Sequence, residues 1–517
     1  MNFNKKLAVA VSGAVLLMAG QFALADSATD IVDALVSKGV LTEEEGKLIT
    51  KGHTSKTAVT PVVKEKDGAF TLESASGRNS IQLTGRMHLD YRDSNIDGSS
   101  DLGGGRTDDR DTASLADQFE LRRARLGVKG KFANDFKYEI VGNLPGTATI
   151  DIAYLDFAKY EQVQLRVGKF KQPFGLEQLI SSNNITMMER SYVDQTVPAK
   201  KLGFQVMGAP TKGMTYAGSV FQHNDTELDI RSDGKSSLAG RATLNFAEII
   251  GNKEMVMHVG IAALDSTYAT GATSSSQTSS SASSSTNATI SSFRSAGRGL
   301  SNIFRGQVSG AACSSGSYSC PSEYQAQVQQ RALGLEGIFA TGPFKLMGEY
   351  SQGDYKGTQG ANTVSYDTKT YFLEAGYFIT GEKYADSYKG GVFSSFKPKN
   401  EFDLDKGNLG AIELAFRAEG YDVDDAQISN GRLQGNLSQY TNTTTYNANA
   451  NNGASPKSGA KTYTAGIRWI LNPNLVIKAN YAQTNLDNKF APLDVVGATV
   501  AEVDKERLLM FRTQYMF

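Results

Sequence analysis

Residues 117–143 read DQFELRRARLGVKGKFANDFKYEIVGN, and the alternation inside this stretch decides the fold. Successive side chains of a β-strand point to opposite sides. In that register Ala124, Leu126, Val128 and Phe132 share one face, while Arg123, Arg125, Lys129 and Lys131 share the other. After a short connection a second strand follows, with Phe136, Tyr138 and Ile140 alternating with Lys137 and Glu139. An aliphatic face backed by a row of cations suits no ordinary soluble core, where charges are buried only with partners. It suits the wall of a membrane barrel, with lipid outside and a charged, wet lumen inside.

The same period runs outward from this block in both directions. From Asn79, Ile81, Leu83, Gly85, Met87, Leu89 and Tyr91 alternate with Gln82, Thr84, Arg86, His88, Asp90 and Arg92. That length matches the roughly ten residues that cross a bilayer in a tilted strand. Similar segments recur near 147–158, 161–172, 200–209, 212–222, 238–247, 254–265, 327–341, 343–353, 368–380, 408–422, 461–472, 474–485 and 505–517. With the opening strand and the two of the arginine-rich block, the expected fold is an all-β transmembrane antiparallel barrel of about 16 strands. Tight connections such as Ala209-Pro210-Thr211, Thr341-Gly342-Pro343 and 471–474 suit periplasmic turns. Long polar connections at 93–116, 267–326, 381–407 and 423–459 suit extracellular loops. The serine-rich 267–326 connection is expected to be too polar to pack a core, and the Asn/Thr-rich 440–458 stretch likewise.

Composition sets the outer bounds. The 517 residues carry 53 Lys and Arg against 54 Asp and Glu, which leaves no general footprint for nucleic acid. Mean hydropathy is −0.32, and past the N-terminus no apolar run approaches the roughly 20 residues of a spanning helix. Residues 1–25 combine Lys5 and Lys6, an apolar Leu7–Leu17 run and an Ala23-Leu24-Ala25 site, the pattern of a cleaved signal peptide. Its removal leaves 51 basic against 54 acidic residues. Residues 26–66 differ from everything after them. Ile31, Leu35 and Val36 fall at helical spacing, Gly39 breaks the run, and Thr42 with Glu45 makes a capping box for a second helix. The expected organisation is a signal peptide over 1–25, a short periplasmic helical segment and linker over 26–66, and the barrel over 67–517. The helical segment either helps the barrel oligomerise or is an appendage without activity.

Several motifs point to a family. The RRAR strand (122–125) is followed by VGKFKQPFGLE (167–177); FITGEKYADSYKGGVFSSFKPKNEFDLDKGNLGAIELAFRAEGYDVDD (378–425) and AGIRWILNPNLVIKANYAQTN (465–485) come later, before a LLMFRTQYMF end. Together these resemble the phosphate-selective porin family, the phosphate and polyphosphate porins of Gram-negative outer membranes. The resemblance covers most of 78–517. It implies a homotrimer embedded in outer-membrane lipid that passes phosphate- or polyphosphate-class small anions. It also implies that the long segment Phe174–Lys201 folds inward and narrows the pore, bringing Arg190, Tyr192, Lys200 and Lys201 to a constriction.

A pore selects ions through the charges that line it, since cations behind a low-dielectric wall raise the local anion concentration. The alternation assigns this role to Arg86, Arg123, Arg125, Lys129, Lys131, Lys137 and Arg166, with Lys169 and Lys171 at a strand end. Arginine suits oxyanions because its planar fork meets two oxygens at once. The competing reading is that these charges only keep the lumen wet, balanced by acids such as Glu139 and Asp151, which gives a general porin. Cys313 and Cys320 are expected to close the long loop as a disulfide in an exported chain.

No cofactor or metal is expected. Asp93–Gly98 reads DSNIDG, like the start of a calcium loop, but Gly104 stands where its bidentate Glu belongs. The Gly234-Lys235-Ser236 tail of a P-loop fails at Asp229. Four histidines (His53, His88, His223 and His258) give little room for hydrolase chemistry, and only His88 beside Asp90 resembles part of a catalytic pair. The chain therefore reads as a non-enzyme. A surface adhesin whose polar loops bind a partner without conductance is the other alternative.

Overall fold

A computed structural model describes residues 25–57, 60–66, 68–98, 118–223, 236–270, 288–300, 302–308, 326–429, 431–438, 445–447, 456–490 and 503–517. The n- and h-regions of the expected signal peptide, the Cys313 and Cys320 pair and the serine run at 274–286 lie outside the described residues. Sixteen strands make the wall. They are β1 (Ser80–Gly98), β2 (Gln118–Phe132), β3 (Phe136–Asn143), β4 (Thr149–Phe157), β5 (Gln164–Lys171), β6 (Lys200–Gly208), β7 (Met214–Gln222) and β8 (Ser237–Asn245). The circuit continues through β9 (Met255–Thr270), β10 (Ala326–Thr341), β11 (Phe344–Gln359), β12 (Asn362–Phe378), β13 (Ala411–Ile428), β14 (Ser458–Ile470), β15 (Leu475–Phe490) and β16 (Val503–Met516). Each stretch expected from the alternation coincides with one of these strands.

Neighbours are antiparallel throughout, and β16 pairs with β1 (Phe511 opposite Tyr91, Met516 opposite Arg86), so the sheet closes on itself. Closure leaves no unpaired edge for water or another chain to satisfy, which a backbone inside lipid requires. At the seam Gly85 and Phe517 exchange backbone hydrogen bonds of 2.9 and 3.2 Å. A Cβ on Gly85 would stand 2.4 Å from the Phe517 ring, so any larger residue here would force that terminal ring to shift. The faces sort as expected. On β16 Leu509, Phe511 and Tyr515 are exposed on the outer wall, while Leu508, Met510, Arg512 and Gln514 are buried inside. On β1 Leu83, Met87 and Leu89 face out and His88, Asp90 and Arg92 face in.

Strand parity fixes which connections share an end, and it corrects one sequence expectation. The end carrying Phe517 also carries the β2–β3, β10–β11 and β14–β15 turns, and is called the turn end here; the other is the loop end. The connection 379–410 between β12 and β13 lies at the turn end, not among the extracellular loops. Conversely the β11–β12 connection at the loop end is only Gly360-Ala361. Length misled because the end is set by the number of crossings, and this barrel folds one long connection back inside from the turn end.

The interior is filled by such infolded segments. A second correction concerns residues 288–308, which were expected to be too polar to pack. Ile290, Phe293, Leu300, Ile303, Phe304 and Val308 form a buried cluster with the inward Tyr355, Tyr366 and Tyr421 of β11, β12 and β13. Phe293 stacks on Tyr421 at 4.3 Å between centroids. The serines dominate the average composition of this connection, but its second half carries enough spaced apolar residues to bury. Its strands 288–293 and 304–308 pair with one another and, through the latter, with 431–435. At the turn end, Tyr384, Phe393 and Phe396 of the 379–410 connection pack on Phe378 and Ile470.

Before the barrel, helices α1 (Ala25–Ser37) and α2 (Glu43–Thr57) form where the spacing places them. Thr42 Oγ1 accepts from the Glu45 backbone at 3.2 Å, and Glu45 accepts from the Thr42 backbone at 2.9 Å, completing the capping box. Gly39 between them takes the left-handed φ of 71°.

Candidate functional site

The connection between β5 and β6 (172–199) crosses the lumen instead of covering it. Most residues from Gln172 to Val193 are buried and the rest half-buried, although the segment contains only one turn of helix (Leu176–Leu179) and one 3-10 turn (Tyr192–Gln195). With so little secondary structure, its backbone groups need other partners. The far wall supplies them as side chains. Glu349 on β11 accepts from the Leu176 and Glu177 amides at 2.8 and 3.3 Å. Lys478 on β15 donates to the Ile185 carbonyl at 2.6 Å, and Arg468 on β14 to the Asn184 carbonyl at 2.9 Å. Arg512 on β16 takes the Met188 carbonyl, Asn480 on β15 its amide, and Glu419 on β13 the Tyr192 amide.

Charged pairs reinforce this attachment. Arg417 on β13 bridges Glu177 at 3.0 Å and Glu419 at 2.7 Å, and donates to the Glu189 carbonyl. Glu189 receives Arg122 at 3.0 and 3.2 Å, Arg92 at 2.8 Å and Arg512 at 3.0 Å. Burial pushes the Glu189 carboxyl up, but Arg122, Arg512, Arg123 and Arg92 outweigh it and hold the group well below the usual carboxylate range. Glu177 moves the other way: its burial exceeds the pull of Arg417 and raises it.

On the near side of this segment lies a cavity of about 910 Å³. Among the described residues, nine cations line it (Arg86, Arg123, Arg125, Arg166, Lys169, Lys171, Arg190, Lys200 and Arg241) against four carboxylates (Glu139, Asp151, Glu161 and Asp194). The cations differ in how far they are neutralised. Arg166 is held by Asp156 at 2.7 and 2.8 Å and lies 3.8 Å over the Tyr154 ring. Arg125 and Lys200 share Asp151. Arg241 meets Glu336 and also donates to the Gly391 carbonyl of the infolded 379–410 connection. By contrast Arg86 donates to the Ser182 and Ser181 hydroxyls at 3.0 and 3.4 Å, and Lys171 to the Leu179 and Ile180 carbonyls at 3.0 Å each. Those two charges have neutral oxygens and no carboxylate as direct hydrogen-bond partners, which leaves them room for an incoming anion.

Of the residues assigned from sequence, Arg86, Arg123, Arg125, Arg166, Lys169 and Lys171 meet around this cavity, joined by Arg190 of the crossing segment and by Lys200 at the start of β6. Lys131 is at the turn end, 3.9 Å from Glu73, and Lys137 is exposed opposite it; neither these nor Lys129 lines the cavity. Tyr192 is fully buried, its hydroxyl 3.1 Å from Thr462, so it anchors the segment on the far wall. Lys201 does not line the cavity either. Sequence reasoning missed Arg241, whose alternating strand carried the signal, and Arg122 as an inward group; Asp151 is inward, as the reading of lumen acids has it, although the regular alternation does not place it there. Arg122 and Asp151 both sit at β-bulges, where the pairing skips from Arg123 to Leu121 and from Ile152 to Ile150. A bulge opposes two residues to one and turns the extra side chain off the regular alternation.

A closed sixteen-strand barrel with apolar residues outside, charged residues inside and a loop strapped across its lumen is an outer-membrane porin. A family model described as phosphate-selective porin O and P matches residues 81–517, and the chain belongs to that family. It is 26% identical to Porin O of Pseudomonas aeruginosa over 439 residues, 82% of this chain and 87% of that protein. Among solved structures, OmpT of Vibrio cholerae covers 85% of this chain and 98% of its own at a TM-score of 0.47 and 9% identity. The anion-selective porin from Comamonas acidovorans covers 85% of this chain and 100% of its own at a TM-score of 0.43 and 11% identity.

Proposed function

We propose that this porin passes small anions by diffusion through the cavity beside the crossing segment, with phosphate-class oxyanions preferred. The observation that carries the reading is the excess of nine cations over four carboxylates around one cavity, with Arg86 and Lys171 bonded only to neutral oxygens among their hydrogen-bond partners. An oxyanion there replaces part of its hydration shell with guanidinium donors. The family description and the name of the relative from Pseudomonas aeruginosa support the phosphate class. In the same reading the crossing segment is the constriction, with its Arg190 and the adjoining Lys200 of β6 on the open side. The barrel assembles as a homotrimer, and residues 26–66 form a periplasmic appendage exposed after signal-peptide cleavage.

The test is conductance of the refolded protein in planar bilayers under a potassium chloride gradient, with phosphate titrated in. The expected result is a reversal potential on the chloride side and a current blocked by phosphate. Removing one cation at about 4 Å from the anion is worth roughly 1–4 kcal/mol before screening, so Arg86→Ala or Arg125→Ala should weaken the block about fivefold or more. Conductance with neither anion preference nor block would mark a general porin, the reading favoured by the pairing of Arg125, Arg166 and Arg241 with acids. Absence of conductance would overturn the channel reading in favour of a binding barrel.

A further inference from the structure

Glu189 occupies a position that its role as a strap does not fully explain. Its carboxylate takes both Nε and Nη2 of Arg122, with further donors from Arg92 and Arg512 at 2.8 and 3.0 Å. Arg298, from the infolded 288–308 segment, stands 3.9 Å away. Four arginines from three strands and a second loop thus surround two carboxylate oxygens. This is the donor arrangement that recognises a free oxyanion: one bidentate fork and several single contacts converging on neighbouring oxygens. The cluster is over-supplied with positive charge even so. Asp90 pairs with Arg512 and Arg92, and Glu120 stands 3.7 Å from the Arg92 Nε, so with Glu189 three carboxylates face four arginines. Arg122 and Arg298 stay partly exposed, so solvent reaches the cage.

The strap does not depend on this carboxylate. The backbone on either side is pinned by other groups: Asn480 holds the Met188 amide, Arg512 the Met188 carbonyl and Arg417 the Glu189 carbonyl. The side chain can leave while the segment stays in place.

We propose that Glu189 is a resident counter-anion: its carboxylate fills an oxyanion site made by Arg92, Arg122, Arg298 and Arg512, and a phosphate-type oxyanion takes that site when the side chain swings out. The exchange keeps the cage neutralised at every stage, so a passing anion is neither repelled nor trapped by four unpaired arginines. No bond is made or broken. The inference rests on the proposed anion pathway and adds to it a binding station behind Arg123, with a built-in competitor.

The test compares phosphate block of chloride current in the native protein, Glu189→Ala and Glu189→Gln. Vacating the cage should lower the half-blocking phosphate concentration at least tenfold in Glu189→Ala, and Arg122→Ala in that background should abolish the gain. Resistance of the crossing segment to trypsin in detergent reports whether the strap survives. An unchanged or weakened block with the segment still protected would overturn the inference. Loss of protection in both variants would overturn it too, because Glu189 would then be a structural tie. If the native protein prefers anions and the variants show no gain, the station fails while the anion pathway stands. A native protein without anion preference, in which Glu189→Ala creates no block either, would remove both.

Discussion

Arg417 and Glu189 meet the crossing segment in different ways, Arg417 as a tie to its backbone and Glu189 as the occupant of an arginine cage. Arg417 is fully buried between Glu177 and Glu419, two carboxylates that desolvation penalises in its absence. Breaking a buried pair by removing one partner costs about 3–5 kcal/mol, because the other charge stays behind. Arg417→Met should therefore lower the heat-unfolding temperature in detergent and expose the segment to protease, while Glu177→Gln in that background should recover part of the loss. Glu189 behaves differently toward pH. Its carboxyl is held well below the ordinary value of 4.5, so it stays ionised in the cage above that value and is neutralised only as pH falls through the depressed folded value. Acidification from pH 7 to about 4.5 should leave the segment protected from acid-active protease. At lower pH the neutralised side chain should give up the cage, so phosphate block should strengthen while protection persists, and the Glu189→Gln protein should lack this acid step. An acid step at the usual carboxylate pH would contradict the arginine cage.

At the level of elements, the strands were legible because a period of two survives any loop insertion, and each of the sixteen could be placed from its own residues. The bulges were not legible. On β2 the regular alternation puts Arg123 and Arg125 inside and leaves Arg122 facing lipid, whereas the skipped pairing opposite His88 and Leu89 brings Arg122 inside as well. A one-residue interruption leaves no trace in composition, and only the partner strand shows it. This has a testable form. Deleting Arg122 should restore continuous pairing between β1 and β2 without moving Leu121 or Arg123, so the barrel should still fold and show the usual heat-dependent gel shift. It should lose only the bidentate contact to Glu189. A deletion that prevents folding would mean the bulge is needed for closure as well as for aiming one side chain. The infolded connections were illegible for a different reason. Their partners are isolated inward charges such as Glu349, Arg468, Lys478 and Arg512, which look like ordinary lumen residues until the chain that meets them is known.

For the whole molecule, nearly balanced totals of 53 basic and 54 acidic side chains mean that any anion preference comes from where charge is placed. Two length scales then separate a local site from a global field. At 0.15 M salt the Debye length is about 8 Å, which already screens charges on the loops and rims, while at 1 M it is about 3 Å. The cations around the cavity lie behind a low-dielectric wall and beside a buried segment, where screening is weaker than at an exposed surface. Anion preference should therefore persist from 0.01 to 0.15 M potassium chloride and fall toward neutrality only near 1 M. Neutralising exposed charges such as Lys383 and Glu254, an ion pair at the turn end, should not shift the reversal potential at any of these concentrations. Neutralising Arg86 should shift it at all but the highest. A preference that vanishes between 0.01 and 0.15 M would assign selectivity to the outer field and leave the cavity cations as solvation of the lumen wall.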